Sequence, residues 1–235
     1  MMMNTHLIVQ RVNTKNTWTS LAKRKEIILK ILNLYAGIGG NRKLWGDEHE
    51  ITAVEINPKI AECYKKLFPK DIVIVGDAHE YLRQHFKEFD FIWASPPCPT
   101  PSRLRLTFAH NGWDIVYPDM TLYQEIILLK HFFKGDWVIE NVKPYYKPLI
   151  EPSFNINRHL FWSNKFIMTV QFEHSFTTVW DKTKEMARIY GFDINILKSF
   201  SQYEKRKILR NCVVPEIGKY ILDIISKAKG EENAG

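Results

Sequence analysis

Cys98 stands behind two prolines, in the run Trp93-Ala94-Ser95-Pro96-Pro97-Cys98. A thiolate is a strong nucleophile, and neighbouring positive charge lowers its pKa. The prolines stiffen the approach and hold the thiol in a fixed place. Arg103 and Arg105 follow closely and can supply that charge or grip phosphate. A second chemical group lies at Glu140-Asn141-Val142, where the carboxyl could meet a substrate held by Cys98 or simply be a salt-bridged surface acid. A third is the turn Tyr35-Ala36-Gly37-Ile38-Gly39-Gly40, whose glycines let backbone approach a ligand closely. Glu55 lies 18 residues beyond Gly37, near the distance at which an acid bonds ribose hydroxyls in nucleoside-binding sheets. Gly76-Asp77 suits an adenine amino group, with a helix N-cap as the competing reading of Asp77. Together these point to an adenosine-containing cofactor. No GxxxxGK[ST] loop is present, which disfavours a nucleoside triphosphate.

The elements that must position these groups follow from apolar patterning. Apolar runs over 30–35, 51–56, 71–75, 89–94 and 137–140 read as strands. Helices are expected over 21–29, from Asn57-Pro58, through Tyr81 and Phe86, and over 121–133, alternating with the strands. Such alternation implies an α/β fold with a doubly wound, mostly parallel sheet. In that architecture ligands bind at the carboxyl ends of the strands, where each group above falls. Residues 143–156 contain three prolines and read as a loop. Beyond it, strands are expected at 160–162 and 167–172, and helices at 202–208 and 215–228.

The 235 residues suffice for one main domain with a sizeable core, at 45% hydrophobic and 25% charged. The net charge of +7 is compatible with a polyanionic partner. No apolar run approaches the roughly 20 residues that span a bilayer, and residues 1–20 lack a signal-peptide core. A cytoplasmic protein is expected. Cys63, Cys98 and Cys212 are too widely and irregularly spaced for a zinc site or a disulfide framework.

In order along the chain, these motifs resemble those of the C5 cytosine-specific DNA methyltransferase family, over roughly residues 30–225. The resemblance implies a Rossmann-like class I fold and S-adenosylmethionine as cofactor. It assigns Tyr35, Ala36, Gly37, Ile38, Gly39 and Gly40 to the methionine part of the cofactor. Glu55 falls to the ribose, Asp77 to the adenine, and Ile56, Ala78 and Pro96 to the cofactor's neighbourhood. Arg210-Asn211-Cys212-Val213 resembles Gly-Asn-Ser-Val, so Asn211 and Val213 help close the cofactor site. Pro97 and Cys98 match the catalytic Pro-Pro-Cys, and Glu140 the Glu-Asn-Val acid. Arg158, one position out of register, takes the role of the family's Gln-x-Arg-x-Arg arginine, with His159 as the alternative. Pro99 replaces the usual Gln, whereas Ser102 keeps its place and joins Arg103 and Arg105 as nucleic-acid contacts.

The implied reaction is methyl transfer to C5 of a cytosine flipped out of duplex DNA, through a covalent bond from Cys98 to C6. The 99–119 loop, with His110 and Trp113, would cover the substrate. Only 48 residues separate Trp162 from Asn211, where the family usually carries a target-recognition domain. That leaves about 20 residues for recognition, too few for an independent core. The chain therefore divides into an N-terminal arm and helix (1–29), a catalytic domain (30–162), a reduced recognition region (163–184) and C-terminal helices completing the catalytic domain (185–235). It is similar to compact phage and prophage members. A separate specificity or restriction protein is an implied partner, and a monomer is expected. Competing readings are a tRNA cytosine methyltransferase, an inactive DNA-binding protein of the same fold, and an NAD(P) oxidoreductase, which the missing GxGxxG argues against.

Overall fold

The computed structural model describes residues 27–97, 119–172 and 183–232. The arm, the 99–118 segment, Cys98, Ser102, Arg103 and Arg105 lie outside the described residues.

Five parallel strands form the centre: β1 (Lys30–Leu34), β2 (Glu50–Glu55), β3 (Ile72–Val75), β4 (Phe91–Ala94) and β5 (Asp136–Val142). Two antiparallel strands, β6 (Phe154–Ile156) and β7 (His159–Ser163), complete a sheet of order β3-β2-β1-β4-β5-β7-β6. The expected doubly wound sheet is therefore present. Strand order reverses between β1 and β4, which opens a crevice beyond their carboxyl ends.

The central strands are nearly continuous runs of apolar residues because both faces are covered. Ile31, Ala53, Trp93, Val138 and Phe161 face one core. That core is closed by α1 (Pro58–Leu67) and by the C-terminal helices α4 (Thr183–Ile189), α5 (Gln202–Arg210) and α6 (Pro215–Glu232). Leu32, Leu34, Val54, Ile92, Ala94 and Ile139 face the other core, under α2 (Ala78–His85) and α3 (Thr121–Phe132). Asn57 caps α1, accepting from the Lys59 and Ile60 amides ahead of Pro58. Among the described residues no helix is long and apolar enough to cross a membrane.

Three expectations change. Leu29 is not helical: its carbonyl accepts from the Glu50 amide, which draws it into the sheet. A strand forms at Phe154–Ile156, inside the proline-rich stretch read as loop. Asn157 makes this possible by turning the chain at φ 53°, and Phe154 then stacks on Phe161 at 4.9 Å. With β7 paired on both sides, residues 167–172 have no edge of β7 left to join and form no strand. They are held instead by Asn157, whose amide brackets the Phe172 backbone, and by Tyr220, whose hydroxyl donates to the Met168 carbonyl.

Candidate active site

The glycine turn leaves β1 through Tyr35, which adopts φ 55° without being glycine. Gly37 and Gly39 continue in the same left-handed region. At the end of neighbouring β2, Glu55 is buried at 8% exposure and spends both oxygens on backbone. Oε2 accepts from the Gly37 amide at 3.0 Å and Oε1 from the Asn57 amide at 2.8 Å. One carboxylate thus couples the glycine turn to the start of α1. Ile56 beside it is exposed. At the end of β3, Asp77 caps α2 by accepting from the Glu80 amide at 3.0 Å, while Ala78 is buried. A Cβ added at Gly37 or Gly76 would meet nothing within 4 Å. Open space therefore lies beside both turns and flanks Glu55.

The C-terminal motif comes back to the same turn. A Cβ on Gly40 would lie 2.6 Å from the Val213 carbonyl and 2.8 Å from Cys212 Cβ. Val213 is buried, and Asn211 is exposed at the end of α5. Ile38 and Gly39 are enclosed as well, with Gly39 pressed against Phe68 and Tyr64.

Across the crevice, Pro96 is buried and Pro97 exposed. The Asn141 side-chain amide donates to the Pro96 carbonyl at 3.1 Å, tying the end of β5 to the turn that leads to Cys98. Glu140 is buried at 6% exposure on the face of β5 that carries Val138. Its carboxylate is hydrogen-bonded to Nδ1 of His159. Arg158, in contrast, is exposed, and its Nε donates to His159 Nε2 at 3.3 Å. Of the two candidates for that position, the one in contact with Glu140 is His159.

The two other cysteines are poor nucleophiles. Burial pushes the Cys212 thiol up to about 12, and burial also raises that of Cys63. Both are enclosed in the core, and their sulfurs donate to the carbonyls of Ile208 and Ile196.

Sequence reasoning missed Glu125 and His79. Glu125 lies on α3 among Leu122, Ile126 and Leu129, on the buried face of that helix. A carboxyl at such spacing within an apolar stripe is itself a signal, because unpaired buried acids are costly. Tyr35 Oη donates to Glu125 Oε1 at 2.5 Å, and His79 Nδ1 meets the same oxygen at 3.1 Å. Burial raises the Glu125 carboxyl, while its bonds to His79 and Tyr35 pull it back. The hydrogen bond to Glu125 raises His79. The strained end of β1 is thereby anchored to α3 and to the start of α2.

Residues 29–149 match the family model described as C-5 cytosine-specific DNA methylase. No curated protein sequence matches significantly. Among solved structures, a variant of DNMT2 from Spodoptera frugiperda is 32% identical over 48% of this chain and 35% of its own, with a TM-score of 0.36. The methyltransferase EhMeth of Entamoeba histolytica aligns over 86% of this chain and 99% of its own at 11% identity, with a TM-score of 0.54. A DNA modification methyltransferase encoded in an E. coli prophage is 19% identical over 51% of this chain and 33% of its own, with a TM-score of 0.34. The chain spans about a third of the DNMT2 and prophage chains, and the likeness to EhMeth is one of fold.

Proposed function

The chain belongs to the C-5 cytosine-specific DNA methylase family, and we propose that it methylates C5 of cytosine in DNA through a covalent bond from Cys98. The observation that carries this reading is the placement of two groups on either side of the β1/β4 crevice. Glu55 and the glycine turn stand on one side, and the Pro96–Asn141 contact beside Glu140 stands on the other.

The cofactor of this family is S-adenosylmethionine, which supplies an electrophilic methyl group. The open space at Gly37 and Gly76, flanking a buried carboxylate, fits an adenosyl ligand. Glu55 would hold the ribose hydroxyls, with Asp77 and exposed Ile56 on the adenine side and residues 35–40 against the methionine part. Asn211 and Val213 would close the pocket behind Gly40.

Cytosine C5 is a weak nucleophile. Addition of the Cys98 thiolate to C6 forms an S–C6 bond and makes C5 enamine-like, able to take up a methyl group. Glu140 bonds the N3 edge and the exocyclic amine, stabilising the charge that develops on the ring. Water then removes the C5 proton, the C5–H electrons restore the C5–C6 double bond, and the S–C6 electrons leave with sulfur as the thiolate. A stacked base cannot reach this crevice, so the target must flip out, at a cost of a few kcal/mol. The high pKa of Cys212 and the burial of Cys63 support Cys98 as the nucleophile.

DNA carrying 5-fluorocytosine has no C5 proton to lose, so it is expected to trap the enzyme covalently. Methylation of C5 by Cys98→Ala at the parent rate would refute the mechanism. Parallel assays on duplex DNA and tRNA test the substrate, with transfer to DNA expected.

A further inference from the structure

A cavity of about 380 Å³ opens immediately beyond β5, lined by residues 143–148, Glu151, Pro152 and Leu160. We propose that this loop is a subsite for the DNA nucleotide beside the flipped cytosine, with Lys143 and Lys147 on phosphate and Tyr145 stacking on a base. The assignment builds on the methyltransferase reading and would place a nucleic-acid contact outside residues 163–184.

Four observations carry it. First, the loop starts where the catalytic strand stops: Lys143 follows Val142, and its amide donates to the Arg158 carbonyl at 3.3 Å. The cavity therefore opens at the carboxyl end of β5, beside the Arg158 backbone and on the face of β7 that carries Leu160, next to Asn141 and its bond to Pro96. Second, Lys143, Lys147 and Arg158 are exposed cations, opposed by Glu151 alone among the charged groups that line the cavity. The Lys147–Glu151 pair, at 3.1 Å, is solvent-exposed on both sides, so a phosphate can replace the carboxylate at little cost. Third, the aromatic pair is built for stacking. Tyr146 is held in place, burial and its hydrogen bond to Tyr123 raising its pKa. Tyr145 stands edge-to-face on it at 5.1 Å and 87°. Base–aromatic stacking tolerates any base, which suits a flanking position. Fourth, the loop is stiff before any ligand arrives. Pro144, Pro148 and Pro152 fix its torsions, and the Leu149 amide donates to the Tyr123 hydroxyl at 3.1 Å. A preformed site loses little entropy on binding.

Binding of fluorescent duplex DNA, with S-adenosylhomocysteine present, across a salt series tests this in the full chain. Lys143→Ala is expected to reduce the slope of log K against log salt by about one. Tyr145→Ala is expected to weaken binding by about tenfold at every salt concentration, with the slope unchanged. Calorimetric binding of S-adenosylhomocysteine at parent affinity shows that each variant is folded. Parent-like DNA binding by both variants overturns the subsite, even if the parent methylates DNA. Losses seen on tRNA but not on DNA overturn the DNA assignment. Losses on DNA with no methyl transfer by the parent support the subsite while refuting the enzymatic reading.

Discussion

His159 and Glu140 lie on one face of the antiparallel β5–β7 pair, joined by a hydrogen bond between the imidazole Nδ1 and the carboxylate. Strand register brings them together: Glu140 is opposite Phe161, so residue 159 shares its face while residue 158 falls in the turn. Arg158 donates to Nε2, which leaves the proton on Nδ1, facing Glu140. We expect His159 to position Glu140 against the base. His159→Ala should lower kcat by about 10- to 100-fold, since a buried carboxylate without its partner costs about 1–3 kcal/mol. His159→Asn keeps a donor near the Nδ1 position and should recover part of the rate. Arg158→Ala should cost less than His159→Ala. Single-turnover methylation with the three variants measures this; an Arg158 effect larger than the His159 effect would restore the arginine to the role.

Legibility in sequence follows burial. Strands β1, β2, β4 and β5 are covered on both faces, so their residues form apolar runs that can be read without partners. The three-residue β6 has no such run; it exists because Asn157 turns back and Phe154 finds Phe161. Residues 167–172 are apolar enough for a strand, but Phe166 and Met168 are exposed and only Ile167 in that stretch is fully buried. Glu55, Asp77 and Glu140 are legible as site candidates because each lies within two residues of a strand's carboxyl end. The Tyr35–Glu125–His79 cluster is not, because its members are brought together by packing across 90 residues of chain.

That cluster predicts a pH effect. His79 faces Glu125 and Tyr35, with Asp77, Asp119 and Arg83 in the surroundings. Its folded pKa is raised above the ordinary value of about 6.5. The stabilisation it provides is therefore complete below about pH 6.5 and is lost as pH rises through the higher folded value. The difference in Tm between the parent and His79→Gln should be largest near pH 6 and shrink at alkaline pH. A difference that grows with pH would place the imidazole outside this pairing.

Arg42 and Asp71 tie the 3-10 turn at Asn41–Leu44 to the start of β3, with both side chains 2% exposed. The contact is bidentate, Nε to Oδ2 at 2.9 Å and a terminal nitrogen to Oδ1 at 3.0 Å, and Tyr64 also donates to Asp71. Arg42→Ala leaves the buried Asp71 without its cation and should lose about 3–5 kcal/mol in urea unfolding, whereas Asp71→Ala leaves Arg42 its exposed partner Asp47 at 3.3 Å and should lose less. Arg42→Lys should fare little better than Arg42→Ala, because one ammonium cannot reproduce the fork.

Gly37 and Gly40 are three residues apart and should fail in different ways when replaced by alanine. Gly37 has φ 55° and open space where a Cβ would go, so Gly37→Ala costs about 1–2 kcal/mol of backbone strain and creates no clash within the protein. Its methyl would enter the space assigned to the cofactor, beside the amide that Glu55 holds. Gly40 has φ −57°, which any residue adopts, but its Cβ would collide with the Val213 carbonyl. Gly40→Ala must push the 212–214 segment away, at about 1–3 kcal/mol. Calorimetry with S-adenosylhomocysteine should therefore find at least tenfold weaker binding for Gly37→Ala than its stability loss alone explains. For Gly40→Ala, the fall in Tm should dominate. Parent-like affinity in a folded Gly37→Ala would move the cofactor away from this turn.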